Sequence, residues 1–63
     1  MTMEITEEQF KELSRSRDMT ATGHKLGLID DADYYGYGVR TISVRSTPEG
    51  RHILEYTTFD FCD

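Results

Sequence analysis

The carboxylates of one short stretch have the spacing of a calcium-binding loop. Asp31, Asp33 and Gly36 match positions one, three and six of the EF-hand loop, where oxygen ligands and a sharp turn are needed. Position twelve is Ile42, whereas the loop requires a bidentate glutamate there. The residues that follow also have the pattern of a strand and not of the second EF-hand helix. We therefore interpret the stretch as a solvated acidic turn and expect no metal and no cofactor.

The other reactive side chains do not form a known arrangement. His24, His52 and Cys62 lack the spacing of zinc ligands. A nucleophilic site needs a serine or cysteine, a histidine and an orienting group, but the nucleophile-elbow pattern is absent from the sequence. Cys62 is close to acidic residues, which disfavour the reactive thiolate form. The sequence therefore predicts a protein that is not an enzyme.

The most distinctive part of the chain is residues 30–38, DDADYYGYG, which we call the acidic aromatic segment. Tyrosines are favoured at interfaces because they offer a large contact area at low entropic cost. Carboxylates speed the encounter with a basic surface. We expect this segment to bind a larger protein with a basic surface, while some of its tyrosines complete the small core. The candidate contact residues are Asp30, Asp31, Asp33, Tyr34, Tyr35 and Tyr37.

Three arginines favour a different class of partner. Arg40, Arg45 and Arg51 would suit phosphate contacts in the wing of a winged-helix DNA-binding regulator. Against this, the chain has 12 acidic and 7 Lys/Arg residues and a formal net charge of −5, whereas DNA-binding proteins usually show a basic footprint. No recognition helix of usable length is apparent between Leu28 and Val39. These arginines also fit the solubilising charges of an edge strand, so the sequence argues against direct nucleic-acid binding.

Length and composition confine the chain to one small domain, residues 1–63. A fold of this size buries only about 60% of the surface of its unfolded chain, which leaves little room for a catalytic cleft. A single cysteine cannot form an internal disulfide. No apolar run approaches the roughly 18 residues of a membrane span, and the first residues lack the regions of a signal peptide. These features indicate a cytoplasmic protein without a membrane partner.

The elements that position these residues begin with a helix. Residues 6–9, TEEQ, have the form of a capping box, which predicts a helix from about Glu7 to Arg17. Residues 18–29 have no clean hydrophobic period. A short second helix that ends at Gly27 and an irregular loop are both compatible with them.

A β-hairpin is predicted from Val39 to Phe61. Its turn is Thr47–Arg51, where Pro48 suits the first corner of a type I turn and Gly50 suits a left-handed position. This turn sets the register of the two strands, and the four apolar residues that then share one face are Val44 with Leu54 and Ile42 with Tyr56. The other face is mixed, because apolar side chains interrupt the polar ones at Val39, Ile53 and Phe59.

The predicted fold class is α+β, with one N-terminal helix, and a second short helix as an alternative, packed on a C-terminal antiparallel hairpin or small sheet. Phe10 and Leu13 share the helix face that would cover the hairpin. We expect a small acidic non-catalytic module of the kind that phages and plasmids use to inhibit host proteins, including defence nucleases. One alternative is the winged-helix regulator. The other is a structural homo-oligomer formed through the mixed face of the hairpin.

Overall fold

The structure, a computed structural model, describes residues 1–59 except for the side chain of Tyr37. The predicted end of the hairpin at Phe61 and the expectation for Cys62 lie outside this part of the chain. The elements follow the order β1 (Thr2–Ile5), α1 (Glu7–Arg15), α2 (Met19–Lys25), a π-helical turn (Ala32–Tyr37), β2 (Val39–Ser46) and β3 (His52–Thr58). Helices and a three-stranded antiparallel sheet confirm the α+β fold class.

The strand order is β1-β3-β2, so the C-terminal strand lies between the other two. β1 was not predicted from the sequence, although its residues alternate between exposed and covered positions. Met3 lies opposite Leu54 and Ile5 opposite His52. Because β1 has four residues and pairs with a strand about 50 positions further along the chain, its local pattern is too short to identify it.

The predicted capping box starts α1. The N–H of Gln9 donates to Thr6 Oγ1 at 3.1 Å, and the N–H of Thr6 donates to Gln9 Oε1 at 2.9 Å. The helix ends at Arg15, two residues earlier than predicted, because Ser16 adopts an extended conformation. The hydroxyl of Ser16 is 2.5 Å from that of Thr22, which ties the end of α1 to α2.

Residues 19–25 form the second helix, which decides between the two alternatives for this region. The Asp18 side chain caps its start by accepting from a backbone N–H of the first turn. Its end is a Schellman arrangement, in which Gly27 has a φ of +78° and its N–H donates to the carbonyl of His24 at 3.0 Å.

A buried glycine inside α2 allows the helix to approach the core closely. A Cβ at Gly23 would lie 2.9 Å from Ile29 Cδ1 and 3.9 Å from Ile42 Cδ1. Ile29 is 1% exposed and has little room to move aside. Gly23 therefore lowers helix propensity but permits the contact that buries Ile29.

The predicted turn closes the hairpin. The N–H of Thr47 donates to the carbonyl of Arg51 at 2.8 Å, and the N–H of Gly50 donates to the carbonyl of Thr47 at 3.0 Å. Gly50 has a φ of +85°, the left-handed conformation that favours glycine. The predicted register is confirmed, with Val44 opposite Leu54 and Ile42 opposite Tyr56.

One expectation for the hairpin is wrong. A bulge between Val39 and Thr41 shifts the register, so Val39 pairs with Thr58. Val39 therefore packs against the core and does not join Ile53 and Phe59 on the open face of the sheet. The apolar content of that face is correspondingly lower than the sequence pattern suggests.

The core lies between the helices and the sheet. Its buried residues are Ile5, Leu13, Ile29, Leu54 and Tyr56. Leu13 and Phe10 both fill the role predicted for them, since Leu13 is buried in the core and the half-buried Phe10 packs against this core and stacks on His52 with ring centroids 4.6 Å apart. In the described part of the chain, no helix has the length and apolar character needed to cross a membrane.

Candidate protein-binding site

The two ends of the sheet expose different kinds of side chain. We call one end the aromatic end, which comprises Met1, the acidic aromatic segment and Phe59. The other is the hairpin end, which comprises the turn of residues 47–51 and the start of α1. The exposed large hydrophobic residues of the described chain all belong to the aromatic end, namely Met1 at 63%, Tyr35 at 72% and Phe59 at 48% exposure.

A buried tyrosine joins the aromatic end to the core. Tyr56 is 2% exposed, and its hydroxyl donates to Asp33 Oδ2 at 2.8 Å and lies 3.2 Å from Met1 Sδ. Burial raises the pKa of Tyr56 to about 12, with further contributions from the hydrogen bond to Asp33 and the negative charges of Asp33 and Asp30. The neutral hydroxyl is therefore held as a donor, and Asp33 is oriented toward the core.

The acidic aromatic segment is ordered by its own backbone and carboxylates. The Asp30 carboxylate accepts from the N–H of Asp33 at 2.9 Å, and the N–H of Gly38 donates to the Asp33 carbonyl at 2.8 Å. The second bond joins residues five apart, which makes the turn π-helical. The sequence indicated a turn-rich stretch and did not indicate this conformation. Short π-helical turns are rare and occur frequently at functional sites.

A histidine from α2 organises the outer side of the segment. His24 Nε2 is 2.6 Å from Asp31 Oδ1, and the His24 ring stacks on Tyr34 at 4.1 Å between centroids. Tyr35 contacts both rings edge-on, 5.2 Å from His24 and 4.8 Å from Tyr34. His24 was not among the predicted site residues, because its place beside Asp31 depends on how α2 ends.

The structure divides the predicted contact residues into two groups. Asp33 and Tyr34 are half-buried and face inward, where Tyr34 packs against the core. Asp30, Asp31 and Tyr35 are exposed at the aromatic end. The side chain of Tyr37 lies outside the described part of the structure. Of the tyrosines expected to complete the core, Tyr34 does so in part, whereas Tyr35 is exposed.

The three predicted arginines are spread along the hairpin. Arg40 lies at the bulge, Arg45 lies opposite Ile53 on the open face, and Arg51 lies in the turn. A strand rises roughly 3.3 Å per residue, which places Arg40 and Arg45 about 16 Å apart. Within residues 1–59, no arginine has a carboxylate within 4.0 Å. Their spacing does not concentrate positive charge at one end of the sheet.

Two further features of the described residues concern metal ligands and a surface concavity. No group of three or more His, Cys, Asp and Glu side chains in that part could hold a metal ion, so Asp31 and Asp33 do not contribute to such a group. An open concavity of about 460 Å³ lies along α1 and is lined by side chains of both charges and by Leu26. It does not include any residue of the acidic aromatic segment.

The chain matches no family model, no curated protein and no solved structure. Function is therefore inferred from the geometry of the chain itself.

Proposed function

We propose that the protein is a non-catalytic module that binds a basic surface of a larger protein through its aromatic end. One observation carries the proposal: Met1, Tyr35 and Phe59 are exposed at the same end of the sheet as the exposed carboxylates of Asp30 and Asp31. Apolar side chains rimmed by charged ones are typical of protein interaction sites.

Pre-organisation of Tyr35 supports this role. Its ring is 72% exposed but contacts His24 and Tyr34 edge-on, so its orientation is restricted before a partner arrives. Ordering a flexible side chain at an interface costs about 0.5–1.5 kcal/mol, and a side chain already in place avoids most of that cost. Aromatic residues of this kind are common among those that dominate binding energy.

The carboxylates supply the electrostatic part of the interaction. Asp30 and Asp31 would pair with lysine or arginine side chains of the partner, while Tyr35 fills an adjoining pocket. The formal net charge of −5 favours encounter with a positively charged surface. If that surface is a nucleic-acid-binding groove, the module occupies the place of the phosphates and inhibits the partner. This is the mode of action that we propose for a cytoplasmic inhibitor of phage or plasmid type.

A charge-matched pair of variants tests whether the aromatic end or the overall charge is responsible. Asp30→Asn with Asp31→Asn removes two charges from the aromatic end and leaves each side-chain oxygen available to accept its hydrogen bond. Glu8→Gln with Glu49→Gln removes two exposed charges from the hairpin end. Each tagged protein is used to capture partners from host lysate, with and without nuclease, and the partners are identified by mass spectrometry.

The proposal predicts that a basic protein is captured both with and without nuclease by the wild type and by the Glu8/Glu49 variant. The Asp30/Asp31 variant should not capture it. Equal capture by both variants would contradict a site at the aromatic end. Partners that disappear on nuclease treatment would favour the winged-helix alternative, in which reversal of charge at Arg45 and Arg51 abolishes binding.

A further inference from the structure

The outer side of β2 is a free sheet edge. The strand order β1-β3-β2 leaves this eight-residue strand paired on one side only within the described part of the chain. Unpaired edge strands offer backbone donors and acceptors to another strand. The bulge at Arg40 interrupts the edge near its start, so the regular part available for pairing is residues 41–46.

The ladder determines which backbone groups face this edge. Tyr56 exchanges both of its backbone hydrogen bonds with Met1, at 2.9 and 2.6 Å, so it makes none with Ile42 on its other side. Bonded and non-bonded pairs alternate along antiparallel strands. The N–H and C=O groups of Ile42 and Val44 therefore point outward, while those of Ser43 bond to β3.

We propose that a second copy of this chain pairs along that edge, with the two β2 strands antiparallel about Ser43. Ile42 of each copy then lies opposite Val44 of the other, and both residues exchange backbone bonds. Side chains directly opposite one another share a face of the sheet, so the four half-buried apolar residues continue one another on the helix-covered side. The result is a six-stranded sheet.

The apolar pairing favours this alignment over the two alignments that are shifted by two residues. Thr41 lies opposite Arg45 of the second copy, and no two arginines lie opposite each other. A shift of the alignment by two residues in either direction instead places Val44 opposite the bulged Arg40, or Ile42 opposite the polar Ser46. Each shift replaces the two reciprocal contacts between Ile42 and Val44 with a single apolar contact between identical residues.

The other edge of the sheet does not fit antiparallel pairing with β2 of another copy. On β1 the outward backbone groups are those of Thr2 and Glu4, because Met1 exchanges its bonds with Tyr56. The Thr2 and Glu4 side chains lie on the open face, whereas those of Ile42 and Val44 lie on the helix-covered face. Antiparallel pairing of β1 with β2 of another copy would place opposite faces side by side, so the pairing of β2 is with a second β2 about a two-fold axis.

Disulfide trapping tests this pairing independently of the proposed function. In a Cys62→Ser background, Ser43→Cys places two cysteines across the two-fold axis with Cα atoms about 4.5 Å apart, a separation that a disulfide tolerates. We expect Ser43→Cys to form dimers on the order of tenfold faster than Glu49→Cys in the hairpin turn, because paired thiols react at a high effective concentration.

Thr41→Cys and Arg45→Cys provide matched controls on the same strand. Each alone should form dimers as slowly as Glu49→Cys, whereas an equal mixture of the two should form the mixed dimer about as fast as Ser43→Cys does. Because each copy carries a net charge of −5, added salt should increase the yield of Ser43→Cys dimer. Equal rates for all single cysteines would overturn the inference, and so would faster dimer formation by Thr41→Cys alone than by Ser43→Cys.

Discussion

The side-chain hydrogen bonds of the hairpin end and those of Tyr56 at the aromatic end differ in the sequence distance that they span. At the hairpin end, the hydrogen bonds between Thr6 and Gln9 and between Thr47 and Arg51 join residues three or four positions apart. At the aromatic end, Tyr56 contacts Met1 and Asp33, which are 55 and 23 positions away. The end that Tyr56 ties to distant segments by side-chain hydrogen bonds also exposes the large apolar side chains, which is the combination expected of a binding surface on a folded scaffold.

The two ends should differ most in the free energy of unfolding that is lost when one β3 side chain is truncated at each end. Tyr56→Ala removes a ring that is 2% exposed and should cost about 3–5 kcal/mol of the free energy of unfolding. His52→Ala removes the half-buried ring that stacks on Phe10 and should cost about 1 kcal/mol. Urea denaturation followed by circular dichroism measures both. A loss at His52 as large as that at Tyr56 would contradict the difference between the ends.

Alkaline pH should weaken the aromatic end through Tyr56. Its pKa is about 12 in the folded protein and about 10 in the unfolded chain. Between these values the unfolded chain has lost a proton that the folded protein retains, so stability is complete below pH 10 and falls as pH rises toward 12. Thermal denaturation between pH 9 and 12 measures this decline.

The matched variants for the pH experiment each remove one tyrosine hydroxyl. Tyr56→Phe should flatten the decline in stability, whereas Tyr35→Phe, which removes an exposed hydroxyl, should leave it unchanged. A decline of the same steepness in Tyr56→Phe would mean that another group causes the loss of stability.

A smaller loss is expected from the local contacts of the hairpin end. Thr6→Ala removes the acceptor for the N–H of Gln9 and should cost about 1 kcal/mol of the free energy of unfolding. Thr6→Ser keeps the hydroxyl and should remain close to the wild type. After correction for global stability, hydrogen exchange of residues 32–38 should be unchanged in Thr6→Ala, because no hydrogen bond or ring contact among the described side chains links the acidic aromatic segment to the capping box. Selective loss of protection there would show that the two ends are coupled.

The smallest effect on stability should come from the residue with the largest proposed role in binding. Tyr35→Ser removes a side chain that is 72% exposed and should change the free energy of unfolding by no more than about 0.5 kcal/mol. Urea denaturation checks this value. A loss above 2 kcal/mol would mean that Tyr35 holds the segment together and is not mainly a contact residue.

Local rules account for the parts of the fold that were predicted from the sequence. The capping box at Thr6 and the turn at Gly50 depend only on neighbouring residues. The turn also sets the register of the hairpin, which places Val44 opposite Leu54. β1 was missed because its identity depends on pairing with β3. Val39 was assigned to the wrong face because a bulge at Arg40 does not change the hydrophobic pattern.

The sequence predicted which residues make up most of the candidate site but not how they are arranged. The sequence identified the acidic aromatic segment from its aspartates and tyrosines. It did not separate the inward Asp33 from the exposed Asp31, because that separation depends on the hydroxyl of Tyr56. His24 was missed because its contact with Asp31 requires α2 to end at a defined place. These relations require tertiary contacts that a single sequence does not reveal.

Site-specific photo-crosslinking tests the central claim most directly. p-Benzoylphenylalanine replaces Tyr35 in one protein and Glu49 in another, so the same reactive group probes the aromatic end and the hairpin end. Both proteins are irradiated in nuclease-treated host lysate, and their crosslinked products are identified by mass spectrometry. We predict one basic protein crosslinked from position 35 and absent from position 49. The same products from both positions, or a product from position 49 alone, would contradict the claim that the aromatic end is the binding surface.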